Sequence, residues 1–113
     1  MKNIVDESKS ILKERIEYSI LESSGGDHPL TKSCWEKLAN VMSGSLDICM
    51  AVIDAATDEE LEFITEVLDD VTDILVSEEF LSALEERKSK FEKIGCSITA
   101  DINYAKQVLS KIT

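Results

Sequence analysis

The chain has few of the residues that form catalytic and metal sites. It contains a single histidine, His28, and its three cysteines form no Cys-X-X-Cys pair. A zinc site of familiar spacing needs such a pair or further histidines. The sequence also has no Gly-X-Ser-X-Gly turn of the hydrolases and no phosphate-binding glycine loop. We therefore expect no enzyme activity, no metal and no cofactor.

Residues that break secondary structure are also scarce. The 113 residues include one proline and four glycines, and only 5% are aromatic. Sandwiches and barrels need frequent turns, so this composition favours helices. The length suits one domain with one core. We predict a single all-α domain over residues 1–113, either a closed bundle or a stacked array of about six helices.

Long apolar segments are missing as well. No stretch approaches the roughly 20 apolar residues that a membrane-spanning helix needs, and the first residues lack the apolar segment of a signal peptide. The cysteines, Cys34, Cys49 and Cys96, lie beside apolar residues, as reduced and partly buried thiols do. These features predict a cytoplasmic protein that binds no membrane.

The spacing of apolar residues and caps predicts where the helices lie. Thr31, Ser45 and Ser77 are expected to cap helices, and Thr57 with Glu60 matches a capping box. Gly95 is expected to end the fifth helix. Residues 23–29 form the break after the first helix. The predicted helices span about residues 3–23, 31–42, 45–56, 57–76, 77–94 and 99–112.

Three expectations concern particular helices. In the first helix, Ile20 and Leu21 are expected to belong to the apolar stripe, and Arg15 is expected to lie away from it. In the second, Trp35 is expected to belong to the core. The third is apolar nearly all round and should lie at the centre of a bundle.

The acidic residues are concentrated in one region. Residues 54–86 hold thirteen Asp and Glu side chains and no Lys or Arg, whereas the rest of the chain carries ten acids and twelve bases. Such a field attracts a basic partner and repels nucleic acid and anionic membranes. Nucleic-acid binding is therefore the least supported class.

Like charges stand next to one another on the predicted fourth helix, which would be about 30 Å long. Glu62 and Glu66, and likewise Asp69 and Asp73, are four residues apart, a spacing that costs stability in an isolated helix. A basic protein partner would explain this arrangement. A merely solvated face is the alternative, since four basic residues in 87–93 can relieve the field. The candidate partner-binding residues are Asp58, Glu59, Glu62, Glu66, Asp69, Asp70, Asp73, Glu78 and Glu79.

Two short acidic patterns also occur in metal-dependent helical enzymes. Residues 69–73 match the DDxxD pattern that binds magnesium diphosphate in isoprenoid synthases, and residues 66–69 match the ExxD half of helical nucleotide pyrophosphatases. The first enzymes need a much longer chain and a second acidic helix. The second need an opposing helix, whereas the nearest ExxE, residues 59–62, lies on the same predicted helix.

The segment 75–86, Leu-Val-Ser-Glu-Glu-Phe-Leu-Ser-Ala-Leu-Glu-Glu, resembles acidic helical segments of the immunity proteins of bacterial toxin systems, including contact-dependent growth inhibition. This resemblance implies an intracellular inhibitor, with a monomer favoured, that binds one cognate toxin. Many such toxins are basic nucleases, so the acidic surface would occupy the phosphate site. The alternative is a small acidic secretion chaperone or regulatory adaptor, which would typically dimerise to bind an apolar client.

Overall fold

The structure, a computed structural model, describes residues 3–22 and 29–112. These residues form eight α-helices and one 3-10 turn and contain no strand, which confirms the all-α fold. Residues 23–28 of the predicted break at 23–29, including His28, lie outside the described residues. The helices are α1 Ile4–Glu22, α2 Thr31–Met42, α3 Leu46–Ala55, α4 Asp58–Ile64, α5 Leu68–Leu75, α6 Glu78–Glu86, α7 Lys88–Glu92 and α8 Thr99–Ile112, with the 3-10 turn Thr65–Val67 between α4 and α5.

Most of the predicted helix starts are confirmed. Ser45 and Ser77 each accept a hydrogen bond from a backbone N–H in the first turn of α3 and α6. Thr57 and Glu60 form both hydrogen bonds of a capping box at the start of α4. The prediction for Thr31 was wrong, because it is the first residue inside α2 and its side chain is buried.

The predicted stop at Gly95 is also confirmed. Gly95 has a φ of +79°, in the left-handed region that favours glycine. The Cys96 N–H donates to the Phe91 carbonyl at 3.1 Å, and the Gly95 N–H donates to the Glu92 carbonyl at 3.0 Å. This pair of hydrogen bonds is a Schellman motif, which satisfies carbonyls at the end of α7.

The straight helix predicted over residues 57–76 was wrong. It is interrupted by the 3-10 turn, and Val67 leaves helical geometry with φ −117° and ψ 2°. The acidic residues of this region therefore belong to two separate helices, α4 and α5, and to the turn between them.

The helix predicted over residues 77–94 is likewise divided, at Arg87. This residue has φ −97° and ψ 0°, and it separates α6 from α7. Its guanidinium donates to the Ala83 carbonyl at 2.9 Å and makes two hydrogen bonds to the Asp54 carboxylate on α3. Apart from these two interruptions, the described helices correspond one to one with the six predicted.

The helices share one hydrophobic core. Helix α1 packs against α2, α3 and α4, α2 also packs against α5, and α8 packs against α5 and α6. Because these contacts join helices that are distant in sequence, the arrangement is a bundle and not a linear stack. Fully buried side chains come from most of the helices, among them Leu12, Met42, Ile53, Leu61, Leu68, Phe80 and Phe91, and Ile98 before α8 is also fully buried.

Four side chains lie differently from their expected positions. Arg15 was expected away from the apolar face of α1 but is buried, whereas Ile20 and Leu21 are exposed. Trp35 was expected in the core, and 36% of it is exposed. For Arg15 and Trp35 the apolar pattern alone gave the wrong position, because a polar contact described below decides the orientation of each side chain.

Among residues 3–22 and 29–112, no single helix is long and apolar enough to cross a membrane. Helices α2 and α3 taken together pass that test by length and composition, but they are bent by 119° relative to each other.

Candidate partner-binding surface

Some acidic residues of 54–86 pair with another described residue, and the others make no ion pair with any residue that the structure describes. All of the predicted contact residues are exposed. Carboxylates with an ion-pair or hydroxyl partner are Asp54, Glu60, Glu66, Asp73, Glu85 and Glu86. Carboxylates that make no ion pair with any described residue are Asp58, Glu59, Glu62, Asp69, Asp70, Glu78 and Glu79.

Glu66 is held inside the fold by two side chains. Arg15 donates to it through Nε at 2.8 Å and through Nη2 at 2.9 Å, and the Trp35 indole N–H donates to the same carboxylate at 3.0 Å. The Arg15 side chain is only 8% exposed, and its guanidinium carbon lies 5.0 Å from the Phe63 ring centroid. Glu66 therefore orients Arg15 and Trp35, although it remains one of the predicted contact residues.

Two carboxylates of the first part of the acidic block, Asp54 and Glu60, are neutralised near the C-terminal end of α3. Lys9 Nζ lies 2.8 Å from the Glu60 carboxylate, and Lys90 Nζ lies within 3.0 Å of two carbonyl oxygens of α3. Hydrogen bonds from Arg87 lower the pKa of Asp54. Burial opposes a lower pKa at Glu60, but hydrogen bonds from Lys9 and the N–H of Thr57 outweigh it. For Asp54 and Glu60, the alternative interpretation of a solvated face whose charge is relieved by nearby basic residues is therefore supported.

The three carboxylates of α5 make no ion pair with a described residue. Partial burial and the charges of Asp69 and Asp73 raise the pKa of Asp70. Asp101, in the first turn of α8, has a pKa raised by burial and then by Asp69. Tyr104 donates its hydroxyl hydrogen to Asp73, and this bond, with burial and the nearby carboxylates, raises the pKa of Tyr104. We call Asp69, Asp70, Asp73 and Asp101 the α5–α8 acidic cluster.

An apolar groove lies beside this cluster, between α2 and α5. It has a volume of about 450 Å³ and is lined by Trp35, Ala39 and Ile74 together with Asp70. Trp35 is 36% exposed and Ile74 is 64% exposed. The rest of the lining comes from the same face of α2, namely Lys32, Glu36 and Asn40. The structure thus places apolar surface next to unneutralised carboxylates, and we call it the α2–α5 groove.

The structure brings together only part of the predicted residue set. Asp69 and Asp73 both lie close enough to Asp70 to act on it electrostatically. Glu59 instead lines a separate groove beside Lys9 and Lys13. No described contact joins the remaining predicted residues Asp58, Glu62, Glu78 and Glu79 to the α5–α8 acidic cluster.

Sequence reasoning missed three residues of this surface. Asp101 and Tyr104 lie far beyond the acidic block, and only the packing of α8 on α5 brings them to it. The exposure of Ile74 could have been predicted from the sequence, because this aliphatic residue lies outside the apolar stripe of its own helix.

The described residues offer little for metal or thiol chemistry. They contain no group of three or more His, Cys, Asp or Glu side chains arranged to hold a metal ion. All three cysteines are free. Burial raises the pKa of Cys49 to about 12, so this thiol stays protonated at neutral pH.

A comparison with known proteins finds no family model that matches the chain, and no curated protein and no solved structure matches it.

Proposed function

We propose that this protein is an inhibitor that binds a basic protein partner, as the immunity proteins of bacterial toxin systems do. The observation that carries the proposal is the α5–α8 acidic cluster, in which Asp69, Asp70 and Asp101 form no ion pair with any described residue. Like charges held together without a cation cost stability, and a basic partner would remove that cost.

Inhibition would proceed in two steps. The negative field first speeds the encounter with a basic surface, which makes association dependent on salt. Close pairing of carboxylates with Arg or Lys of the partner then covers the partner's active site. A toxin that acts on phosphates suits this mode, because its own site is built to attract negative charge.

The test captures the partner and then asks whether the captured protein is toxic. Tagged protein is exposed to a lysate of the source organism, and bound proteins are eluted with rising salt. We expect one basic protein, whose expression alone arrests growth and whose effect is abolished by co-expression of this chain.

The control is a second variant that removes the same number of negative charges from a different part of the surface. The triple variant Asp69→Asn, Asp70→Asn, Asp73→Asn should lose both capture and rescue. The triple variant Asp6→Asn, Glu17→Gln, Asp47→Asn changes exposed acids elsewhere and should retain both. A captured protein that is harmless on its own would overturn the inhibitor proposal.

The chaperone or adaptor alternative is favoured by one observation, the exposed apolar surface of Trp35 and Ile74. A protein of that class would bind an apolar client, and the complex would survive high salt. A dimer in solution with salt-insensitive client binding would therefore replace the inhibitor proposal by this alternative.

A further inference from the structure

We propose that the α2–α5 groove is the anchor site for a basic amphipathic segment of the partner. An apolar side chain of that segment packs between Trp35 and Ile74, and an adjacent Arg or Lys pairs with Asp70. This inference rests on the proposed function in one respect, namely that the partner is a basic protein.

The apolar part of the groove has the features of a protein-binding anchor site. Its walls come from Trp35 and Ala39 on α2 and from Ile74 on α5. Tryptophan is enriched among residues that dominate binding energy, and a small residue between two large ones leaves room for a partner side chain. Trp35 is also held in place by its hydrogen bond to Glu66 and by Arg15, whose guanidinium carbon lies 5.9 Å from the ring centroid. A fixed aromatic ring loses little side-chain entropy on binding.

The charges around the groove select a basic occupant. Its lining contains two carboxylates, Asp70 and Glu36, and one lysine, Lys32. Asp70 makes no ion pair with a described residue, and Asp69 and Asp73 contribute to its raised pKa. A cation from the partner would relieve this repulsion, whereas an acidic or purely apolar segment would not.

The dimensions suit a helix. From Lys32 to Asn40 the lining residues of α2 recur every three or four positions, and they cover about 12 Å of helix axis. That is slightly more than two turns of a partner helix. Two anchors one turn apart, with a basic residue between them, would therefore fit along the groove.

Trp35 is the only tryptophan of the chain, so its fluorescence reports on this groove directly. The first probe is a synthetic 18-residue peptide with Leu at helical spacing and Lys and Arg elsewhere. The second has the same length and charge but carries Ser at every Leu position. We expect the first peptide to shift Trp35 emission to shorter wavelength with saturation, and the second to bind at least about tenfold more weakly.

Two variants locate the binding. Ile74→Ser should weaken the leucine peptide about tenfold, while Ile112→Ser, which alters an isoleucine of almost equal exposure on α8, should change nothing. Asp70→Asn should weaken it about threefold and reduce its salt dependence, while Asp47→Asn should leave both unchanged. Ile74 and Asp70 are exposed, so both variants are expected to fold, which a circular dichroism spectrum checks.

Three results would overturn the groove proposal: no saturable shift with the leucine peptide, equal binding of the two peptides, or equal binding by wild type and Ile74→Ser. Each would leave the proposed function to be decided separately by the growth rescue described above. A failed rescue together with a groove that binds the leucine peptide would instead reject the inhibitor role and keep the anchor site.

Discussion

At the scale of single residues, Arg15 shows how a charged side chain belongs to a core. Its guanidinium is hydrogen-bonded to Glu66 and lies over the Phe63 ring, and the whole residue is only 7% exposed. The pair is not fully buried, because 28% of the Glu66 side chain is exposed. Removing Arg15 leaves a partly buried carboxylate without its ion-pair partner.

We therefore predict that Arg15→Met lowers the free energy of unfolding by about 2 kcal/mol, less than the cost of breaking a fully buried pair. Urea denaturation measures the change. Lys13→Met is the matched control, since Lys13 is exposed on the same helix, and it should change stability by less than about 0.5 kcal/mol. Equal stability of the two variants would contradict a structural role for the Arg15–Glu66 pair.

Glu60 provides a prediction about pH. Its folded-state pKa is lowered, so the ionised form contributes stability above its unfolded pKa of 4.5, and this contribution is lost as pH falls through the folded pKa. Glu60→Gln keeps the capping acceptor but loses the charge that pairs with Lys9. We expect the variant to be about 1 kcal/mol less stable at pH 7 and the difference to shrink steadily below pH 4.5.

Unfolding curves of wild type and Glu60→Gln between pH 3 and pH 7 provide the measurement. Glu59→Gln serves as control, because Glu59 is exposed in the same turn and makes no ion pair with a described residue. A difference that stays constant over this pH range would mean that the charge of Glu60 does not stabilise the fold.

At the scale of helices, Gly95 and Gly44 differ in why they are glycines. A Cβ on Gly95 would have no atom within 4 Å, but the residue has a positive φ. A Cβ on Gly44 would lie 3.0 Å from Ile48 Cδ1, the end of a flexible side chain. The cost of alanine at Gly95 is thus conformational, and the cost at Gly44 is a small steric adjustment.

We predict that Gly95→Ala lowers the free energy of unfolding by about 1 kcal/mol. Gly44→Ala should cost less than about 0.5 kcal/mol, because the Ile48 side chain can rotate away. Thermal unfolding of the two variants under the same conditions compares them. The opposite order of stabilities would show that space, and not backbone conformation, limits both positions.

The helix starts and stops were predictable because their chemistry is local. Ser45, Thr57 and Ser77 cap through side chains that need only the next three residues, and Gly95 needs only its own φ. The interruption at Arg87 was not predictable in this way. Its pairing with a carboxylate on α3 depends on which helices meet, and helical periodicity carries no information about that.

The candidate surface was also predictable only in part, because the sequence shows where charge is concentrated but does not show which helices meet. The density of charge around Asp69 and Asp70 is visible in the sequence, and the structure leaves these carboxylates without ion-pair partners among described residues. Glu66 belongs to the same charge pattern, yet the 3-10 turn and the meeting of α1 with α2 pair it with Arg15 and Trp35. Only tertiary structure separates these two groups of acids.

At the scale of the whole molecule, the charge is distributed unevenly. Basic residues gather at the end of α3, where they pair with Asp54 and Glu60, and the α5–α8 acidic cluster receives none of them. The cluster therefore lowers the stability of the isolated protein while providing the field that a basic partner would meet. Binding and stability should respond in opposite directions when a charge there is removed.

We predict that Asp70→Asn raises the free energy of unfolding by a few tenths of a kcal/mol at low salt. The gain should disappear near 1 M salt, where the Debye length falls to about 3 Å. Thermal unfolding at both salt concentrations tests this. Asp47→Asn removes an acid from the first turn of α3, where it favours the helix, and should stabilise at neither concentration. Asp70 also lies in the first turn of α5, so destabilisation by Asp70→Asn at low salt would mean that this favourable position outweighs the repulsion from Asp69 and Asp73.

The ion pairs of α1 also affect how the chain folds during its synthesis. Lys9–Glu60 and Arg15–Glu66 each join residues 51 positions apart. A ribosome that adds about 5–20 residues per second needs roughly 3–10 seconds to produce the second member of each pair. During that interval the nascent chain carries the cations of α1 without these carboxylates, and only α2 and α3 are available to cover Ile11 and Leu12. Translation speed thus sets how long this apolar face stays incompletely covered, and with it the exposure of the new chain to aggregation.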